Sequence, residues 1–135
     1  MAYVRGLECL NFPANADLSS YKFRVVELMS SGNVQLATLG KGIGVLQNIP
    51  KSGEQATVAI DGESKAVAGG AISIADHVRV LSGGWCVKIN SGDLSGVIDL
   101  GMAMTAASSG GLFTVNLEPQ LLANVVSGSI VQATP

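Results

Sequence analysis

The chain has 135 residues with a formal net charge of −2, and only 13% of them are charged. This length suits one domain whose core needs no disulfide or metal. The mild acidity argues against nucleic-acid binding, which depends on neutralising phosphates. Polar residues interrupt every uncharged run before it reaches the roughly 18–20 apolar residues of a membrane-spanning helix. We therefore expect neither nucleic acid nor membrane as a partner.

The N-terminal sequence does not resemble a signal peptide. Glu8 and Asn11 interrupt it before an apolar core of about 7–15 residues can form. This pattern predicts a protein that is made and folded in a cytoplasm. Cys9 and Cys86 are then expected to be reduced thiols in the interior, because cytosolic thiols usually stay reduced.

Taken in chain order, the sequence predicts an all-β fold. Residues 1–20 lack periodicity and are predicted to form an N-terminal arm. Alternating polarity then predicts strands over residues 21–29, 34–37, 43–46, 55–60, 63–68, 77–81, 85–89 and 112–117. Asp61-Gly62 is a two-residue hairpin signal. Turns recur about every 8–12 residues, which is typical of a small β-barrel or sandwich. The predicted β-domain spans residues 21–118.

A C-terminal extension, residues 119–135, follows the predicted β-domain. Residues 120–126 have the composition for one or two short helical turns before the break at residues 127–129. From Leu100 to the C-terminus the sole ionisable side chain is Glu118. Such a charge-poor third predicts burial in the core or in a subunit interface.

An internal pseudo-repeat joins residues 44–60 to residues 101–117. Aligning Gly44 with Gly101 also aligns Gly53 with Gly110 and Val58 with Val115, without a gap and at one constant offset. Two copies are too few for a solenoid, which needs about three stacked repeats. We interpret them as related parts of one small β-domain.

Residues with chemical potential are few and scattered. His77 is the single histidine, and without a neighbouring His or Cys it is expected to be a surface residue at a strand edge rather than a metal ligand or a general base. Cys9 would need His77 close by to act as a nucleophile. Asp93 and Asp99 are too few for an all-protein calcium site and are expected at the surface.

Two further motifs are better explained by structure than by binding. Residues 40–44, Gly-Lys-Gly-Ile-Gly, lack the spacing of a phosphate-binding loop, and Pro50 prevents a following helix. Trp85, Tyr21 and Phe23 offer faces for stacking on glycans, but on alternating strands such aromatics usually belong to the core. The sequence therefore predicts no catalytic residues, no cofactor and no metal, and an enzyme is not expected.

Between Asp17 and Leu117 the chain resembles the head-decoration, or capsid cement, proteins of tailed bacteriophages. The resemblance rests on the order and spacing of these segments: DLS at 17–19, YKFRVVEL at 21–28, GIGVLQN at 42–48 with Pro50, GEQATV at 53–58, Asp61-Gly62, KAVAG at 65–69, AISIAD at 71–76, GMA at 101–103 and AASSG at 106–110. It departs from the family at Asp76-His77, where a glycine is usual, and in the tail at 118–135.

The resemblance implies a structural virion protein, often a homotrimer, that binds the outer surface of a phage capsid and cements neighbouring major capsid subunits. The N-terminal arm and the apolar segment 100–135 would then make most of the contacts. The alternative is a surface-displayed β-sandwich binding module whose loops at residues 82–84 or 90–93 bind host glycans or a receptor. Both hypotheses place the protein on the virion and require no catalysis.

Overall fold

The computed structural model describes residues 6–38, 41–90, 97–126 and 129–132, with side chains described as far as Gln120. These residues contain no helix, and none of the described segments is therefore a helix able to span a membrane. They form ten strands: β1 (Glu8–Pro13), β2 (Val25–Leu28), β3 (Val34–Leu36), β4 (Gly44–Leu46), β5 (Gln55–Val67), β6 (His77–Leu81), β7 (Trp85–Lys88), β8 (Ile98–Ala103), β9 (Leu112–Val126) and β10 (Ser129–Gln132).

The strands make one curled antiparallel sheet that forms a half-barrel. Its order is β3-β2-β4-β5-β9-β8-β6-β7, while β1 pairs with β5 and β10 with β9. The all-β class predicted from turn spacing and alternation is confirmed. In this order, β3, β2, β4 and β5 on one side of the centre correspond to β7, β6, β8 and β9 on the other.

The pseudo-repeat predicted from the aligned glycines is confirmed by the strand register. On β4 and β5, Val45 faces Ala59. On β8 and β9, Met102 faces Asn116, and the alignment of Gly44 with Gly101 matches these two residues to Val45 and Ala59. Each Cβ-free glycine, Gly44 or Gly101, allows the backbone carbonyl of the facing strand to come close.

The repetition extends well beyond the segments predicted from sequence. The hairpin β2-β3 corresponds to β6-β7, since Val26 faces Leu36 and the equivalent Val78 faces Lys88. Strand β1 corresponds to the second half of β5, and each of them pairs with the strand that ends its own unit. We call residues 8–60 the first unit and residues 62–117 the second unit.

Two apolar clusters follow the two units. The cluster inside the first unit contains Ala14, Leu18, Val26, Val34, Leu46, Ala56 and Val58. The equivalent residues of the second unit all belong to the larger cluster: Ala68, Ile72, Val78, Cys86, Ala103, Phe113 and Val115. This larger cluster also takes in the outer row of the first unit, Val25, Ala37, Val45 and Ala59, all buried. The second unit therefore covers one face of the first.

The predicted hairpin at Asp61-Gly62 is wrong. Strand β5 runs through these residues from Gln55 to Val67. Gly62 adopts φ +98° and bends the strand, and a Cβ there would collide with the carbonyl oxygen of Gly6. The Asp-Gly signal thus marks a bend with a close backbone approach, which glycine also favours.

Three other predictions of local structure need correction. Strand β2 begins at Val25 rather than Tyr21, because Phe23 has a left-handed φ of 69° and donates its N–H to Leu46 O at 2.8 Å. Part of the predicted irregular arm is strand β1, and β9 continues as a strand through residues 120–126, where the sequence predicts helical turns. In each case pairing with a distant strand outweighs the weak local pattern.

Candidate functional site

The second unit has a row of residues equivalent to the outer row of the first unit. A polar cleft of about 300 Å³ lies on this row. Strands β6, β8 and β9 bring His77, Met102 and Asn116 side by side, because His77 faces Met102 and Met102 faces Asn116. Asp99, Gly101, Glu118 and Gln120 complete its lining, and we call it the end cleft. The equivalent row of the first unit is apolar and covered.

His77 and Asp99 form a pair at one side of the end cleft. His77 Nδ1 lies 2.8 Å from Asp99 Oδ2, while Asp99 Oδ1 accepts the N–H of Gly101 at 3.0 Å. Asp99 is 6% exposed, whereas the His77 side chain is 52% exposed. Since an ionised carboxylate accepts but does not donate, Nδ1 carries the proton and a neutral ring presents Nε2 as an acceptor.

Asn116 adds a buried acceptor without a partner. Its Oδ1 is buried and makes no hydrogen bond within the described part of the chain. Buried polar atoms normally have a partner, and exceptions require a structural explanation. Asn116 lines the end cleft, but this oxygen has almost no exposed surface, so it is an unsatisfied acceptor within the cleft wall.

Sequence reasoning placed these residues only in part. His77 is exposed on strand β6 as predicted, but the surface position predicted for its partner Asp99 is wrong. Asp99 is buried because β8 pairs between β6 and β9. Asp93 lies outside the described residues. The repeat contains a further signal, since its alignment places His77 and Asn116 at the positions of Val25 and Ala59.

The described lining of the end cleft does not form a catalytic triad. A histidine held by a carboxylate is two-thirds of a catalytic triad, but the lining contains no serine, threonine or cysteine to serve as nucleophile beside it. In the described part of the chain there is also no cluster of three or more metal-ligating side chains. Apart from Gly101 and Met102, the lining consists of side chains that can form hydrogen bonds.

The aromatic residues considered for glycan stacking surround an arginine. The Arg24 guanidinium lies 3.6 Å from the ring centre of Trp85 and 5.4 Å from that of Tyr21. Its Nη1 also donates to Gly83 O at 3.1 Å. Cation–π contact thus covers the Trp85 face and holds the turn at residues 82–84 against the first unit. Phe23 packs against the core.

The glycines of residues 40–44 serve packing where they are described. Gly40 lies outside the described residues. A Cβ at Gly42 would press on Val25, and one at Gly44 would strike the Ala59 carbonyl. These contacts account for the two glycines without a phosphate ligand.

The two cysteines differ in environment. Cys86 is buried, and desolvation raises the pKa of its thiol to about 12, which keeps it protonated and unreactive. Cys9 is exposed, so its predicted interior position is wrong. The reason is that it lies on β1, a strand that the sequence does not predict and that pairs with β5 along the sheet.

The Asp99 carboxylate is expected to contribute to stability as well as to the cleft. Asp99→Ala should lower the free energy of unfolding by about 1–3 kcal/mol, because the buried Gly101 N–H loses its acceptor. His77→Ala, at a half-exposed side chain, should cost less than about 1 kcal/mol. Urea unfolding of both variants measures the difference. Equal losses for the two would contradict the role given to Asp99.

Comparison with known proteins defines the chain by its fold. No protein-family model matches it, and no curated protein matches its sequence. Its architecture belongs to the class of curled, antiparallel half-barrels seen among solved structures. One similar structure is the N base of the head fiber protein gp8.5 in bacteriophage phi29, with a TM-score of 0.66 and 16% sequence identity over 84% of this chain and 95% of that one. This likeness shows a shared fold.

Proposed function

We propose that the chain is a structural, non-enzymatic protein of a tailed-phage head. It binds the outer surface of the capsid, cements neighbouring major capsid subunits as a homotrimer, and stabilises the expanded head. The observation that carries the proposal is the fold shared with the base of a phage head fiber over 95% of that chain. The sequence resemblance to capsid cement proteins points to the same location independently.

A difference between the units supports a partner-facing surface. Three positions of the second unit carry exposed apolar side chains, Ile74 (67% exposed), Met104 (40%) and Leu112 (49%). The equivalent first-unit positions are polar: Lys22, Gln47 and Gln55. Because both units share one backbone arrangement, the fold does not require apolar residues there. We assign these three residues, the second-unit patch, to contact with the major capsid protein.

Cementing follows from added burial. A subunit that buries on the order of 1,000 Å² or more across a seam between capsid subunits favours the closed shell over its opened form. If the binding surface exists only on the expanded head, the same binding selects that state. No bond is made or broken, so the protein acts in proportion to its occupancy of the capsid.

Binding to purified expanded heads tests the proposal. The wild-type protein should co-sediment with heads of the parent phage and raise the temperature at which they release DNA. The triple variant Ile74→Lys, Met104→Gln, Leu112→Gln installs the first unit's own residues, so it should fold normally yet bind at least ten-fold more weakly. Wild-type protein that neither sediments with heads nor protects them would overturn the proposal.

The end cleft supports a second candidate, the glycan- or receptor-binding module. Its lining contains polar side chains of the kinds that orient ligands in pockets, among them His77, Glu118 and Gln120. Of the loops first considered for this role, the turn at 82–84 is held by Arg24, and residues 91–93 lie outside the described part. A glycan array probed with wild-type protein and with Asn116→Ala distinguishes the two functions.

A further inference from the structure

The two units of one chain are joined by a specific contact. Val25 donates its N–H to Gly84 O at 2.9 Å, and Gly83 donates its N–H to Ala37 O at 2.9 Å. Through these bonds the β6-β7 turn of the second unit lies on the outer row of the first. Gly84 is buried in this joint, where a Cβ would lie 3.0 Å from Arg24 Cβ.

Both halves of this joint occur again at the two ends of the strand order, where no described residue makes the corresponding contact. The β2-β3 turn of the first unit is equivalent to the β6-β7 turn, and its Gly32 has nearly the same left-handed φ, +90° against +80° at Gly84. Gly32 is exposed, and a Cβ there would meet nothing within 4 Å. His77, the equivalent of buried Val25, lies in the open end cleft.

The first unit also exposes apolar residues that are interface residues in the second. Leu28 is 48% exposed, although its equivalent, Val80, is fully buried. Three further apolar residues of the first unit are partly exposed: Phe12, Ile43 and Ile60. Their equivalents in the second unit are fully buried in the larger cluster: Ala66, Leu100 and Leu117. We call Phe12, Leu28, Ile43 and Ile60 the first-unit end face.

We propose that copies of this chain associate head to tail, with the first-unit end face of one copy seated on the end cleft of the next. The β2-β3 turn then lies on His77 as the β6-β7 turn lies on Val25. The turn residues Ser30, Ser31 and Asn33 bring polar side chains to the end cleft, whose lining is mainly polar. This inference rests on the homo-oligomer part of the proposed function and deepens it by naming the two surfaces.

Pro119 leaves the end cleft accessible to another copy of the chain. It stands at the position equivalent to Gly62, where β5 bends with φ +98°. The proline ring locks φ at a negative value and cannot make that bend. Strand β9 instead continues beside β8, so that Ile98 faces Leu121. The chain's own extension thus leaves the route that β5 takes, and β1 of the copy seated on the end cleft, the equivalent of that half of β5, takes its place.

The contact is heterologous, because two different surfaces meet. Such contacts close into a ring or grow as an open array, and a ring of three satisfies the proposed trimer. The opposing possibility is that His77 and Asn116 form a polar end cap of the kind that terminates repeat proteins in water. Cross-linking separates the two.

The test uses disulfide formation between two different variants in a Cys9→Ser background. One carries Gly32→Cys and the other, tagged for size, carries Asp76→Cys, the equivalents of Gly84 and Arg24. If the joint recurs, their Cβ atoms lie near the roughly 3.5–4.5 Å that a disulfide needs. Mixing them under mild oxidation should give the mixed dimer as the main product. Gly53→Cys replaces Gly32→Cys as control, since Gly53 is also a left-handed turn glycine in open space.

A mixed-dimer yield no greater than that of the Gly53→Cys control overturns the inference. Sedimentation equilibrium provides a second measurement: Leu28→Asp, at a half-exposed site, should weaken self-association at least ten-fold, and wild-type protein that stays monomeric at every concentration also overturns it. Head binding is measured separately. Protein that binds heads without cross-linking refutes this inference alone, whereas protein that cross-links without binding heads refutes the proposed function alone.

Discussion

Gly101→Ala is expected to lower the free energy of unfolding by more than about 3 kcal/mol, placing it among the severe single substitutions. Two costs combine at this position. Gly101 has φ +139°, which side chains rarely adopt, and a Cβ would collide with the Asn116 carbonyl on the paired strand. Because the obstacle is backbone, relief requires β8 and β9 to separate. Urea unfolding monitored by Trp85 fluorescence measures the loss.

Gly110→Ala is the matched control for that substitution. Gly110 also has a left-handed φ, +86°, but a Cβ there would meet nothing within 4 Å. It should cost only the conformational term of about 1–2 kcal/mol. If Gly101→Ala is no more destabilising than Gly110→Ala, the close approach of β8 and β9 is not a structural requirement.

Phe113→Ala is expected to cost about 3–5 kcal/mol, the usual range for removing a buried phenylalanine. Phe113 is 2% exposed and is the largest of the buried side chains described in the core. Its equivalent in the first unit is Ala56, also buried. The second unit therefore has an aromatic ring where the first unit has only a methyl group. The larger cluster, which joins the two units, depends on the Phe113 ring.

Leu112→Ala controls for the change next to Phe113. Leu112 is 49% exposed, so its truncation should change stability by less than about 1 kcal/mol. Thermal unfolding of both variants distinguishes them. A loss at Phe113 as small as that at Leu112 would show that the ring does not hold the two units together.

The repeat could be predicted because its cause is local. Gly44 and Gly101 are required by close backbone approaches on β4 and β8, and the alternating strands that follow them bury one face. Such requirements leave a signature of fixed spacing in the sequence. The same reasoning holds for β6 and β7, where alternation and a glycine turn coincide and both predicted strands are confirmed.

The remaining features depend on distant partners. Strand β1 has no alternation of its own and is held by its register with β5. The bend at Gly62 resembles a hairpin in the sequence, because Asp-Gly signals a left-handed glycine but not whether the chain reverses. In the end cleft, His77 and Asp99 are 22 residues apart and meet only because β6 and β8 are neighbours. Local pattern carries no information about that pairing.

Electron cryomicroscopy of expanded heads incubated with the purified protein tests the central claim most directly. The proposed function predicts added density on the outer capsid surface that fits the two-unit half-barrel, with the second-unit patch of Ile74, Met104 and Leu112 against the major capsid protein. Heads that show no added density at saturating protein, or density that contacts the capsid only through unrelated surfaces, would contradict it.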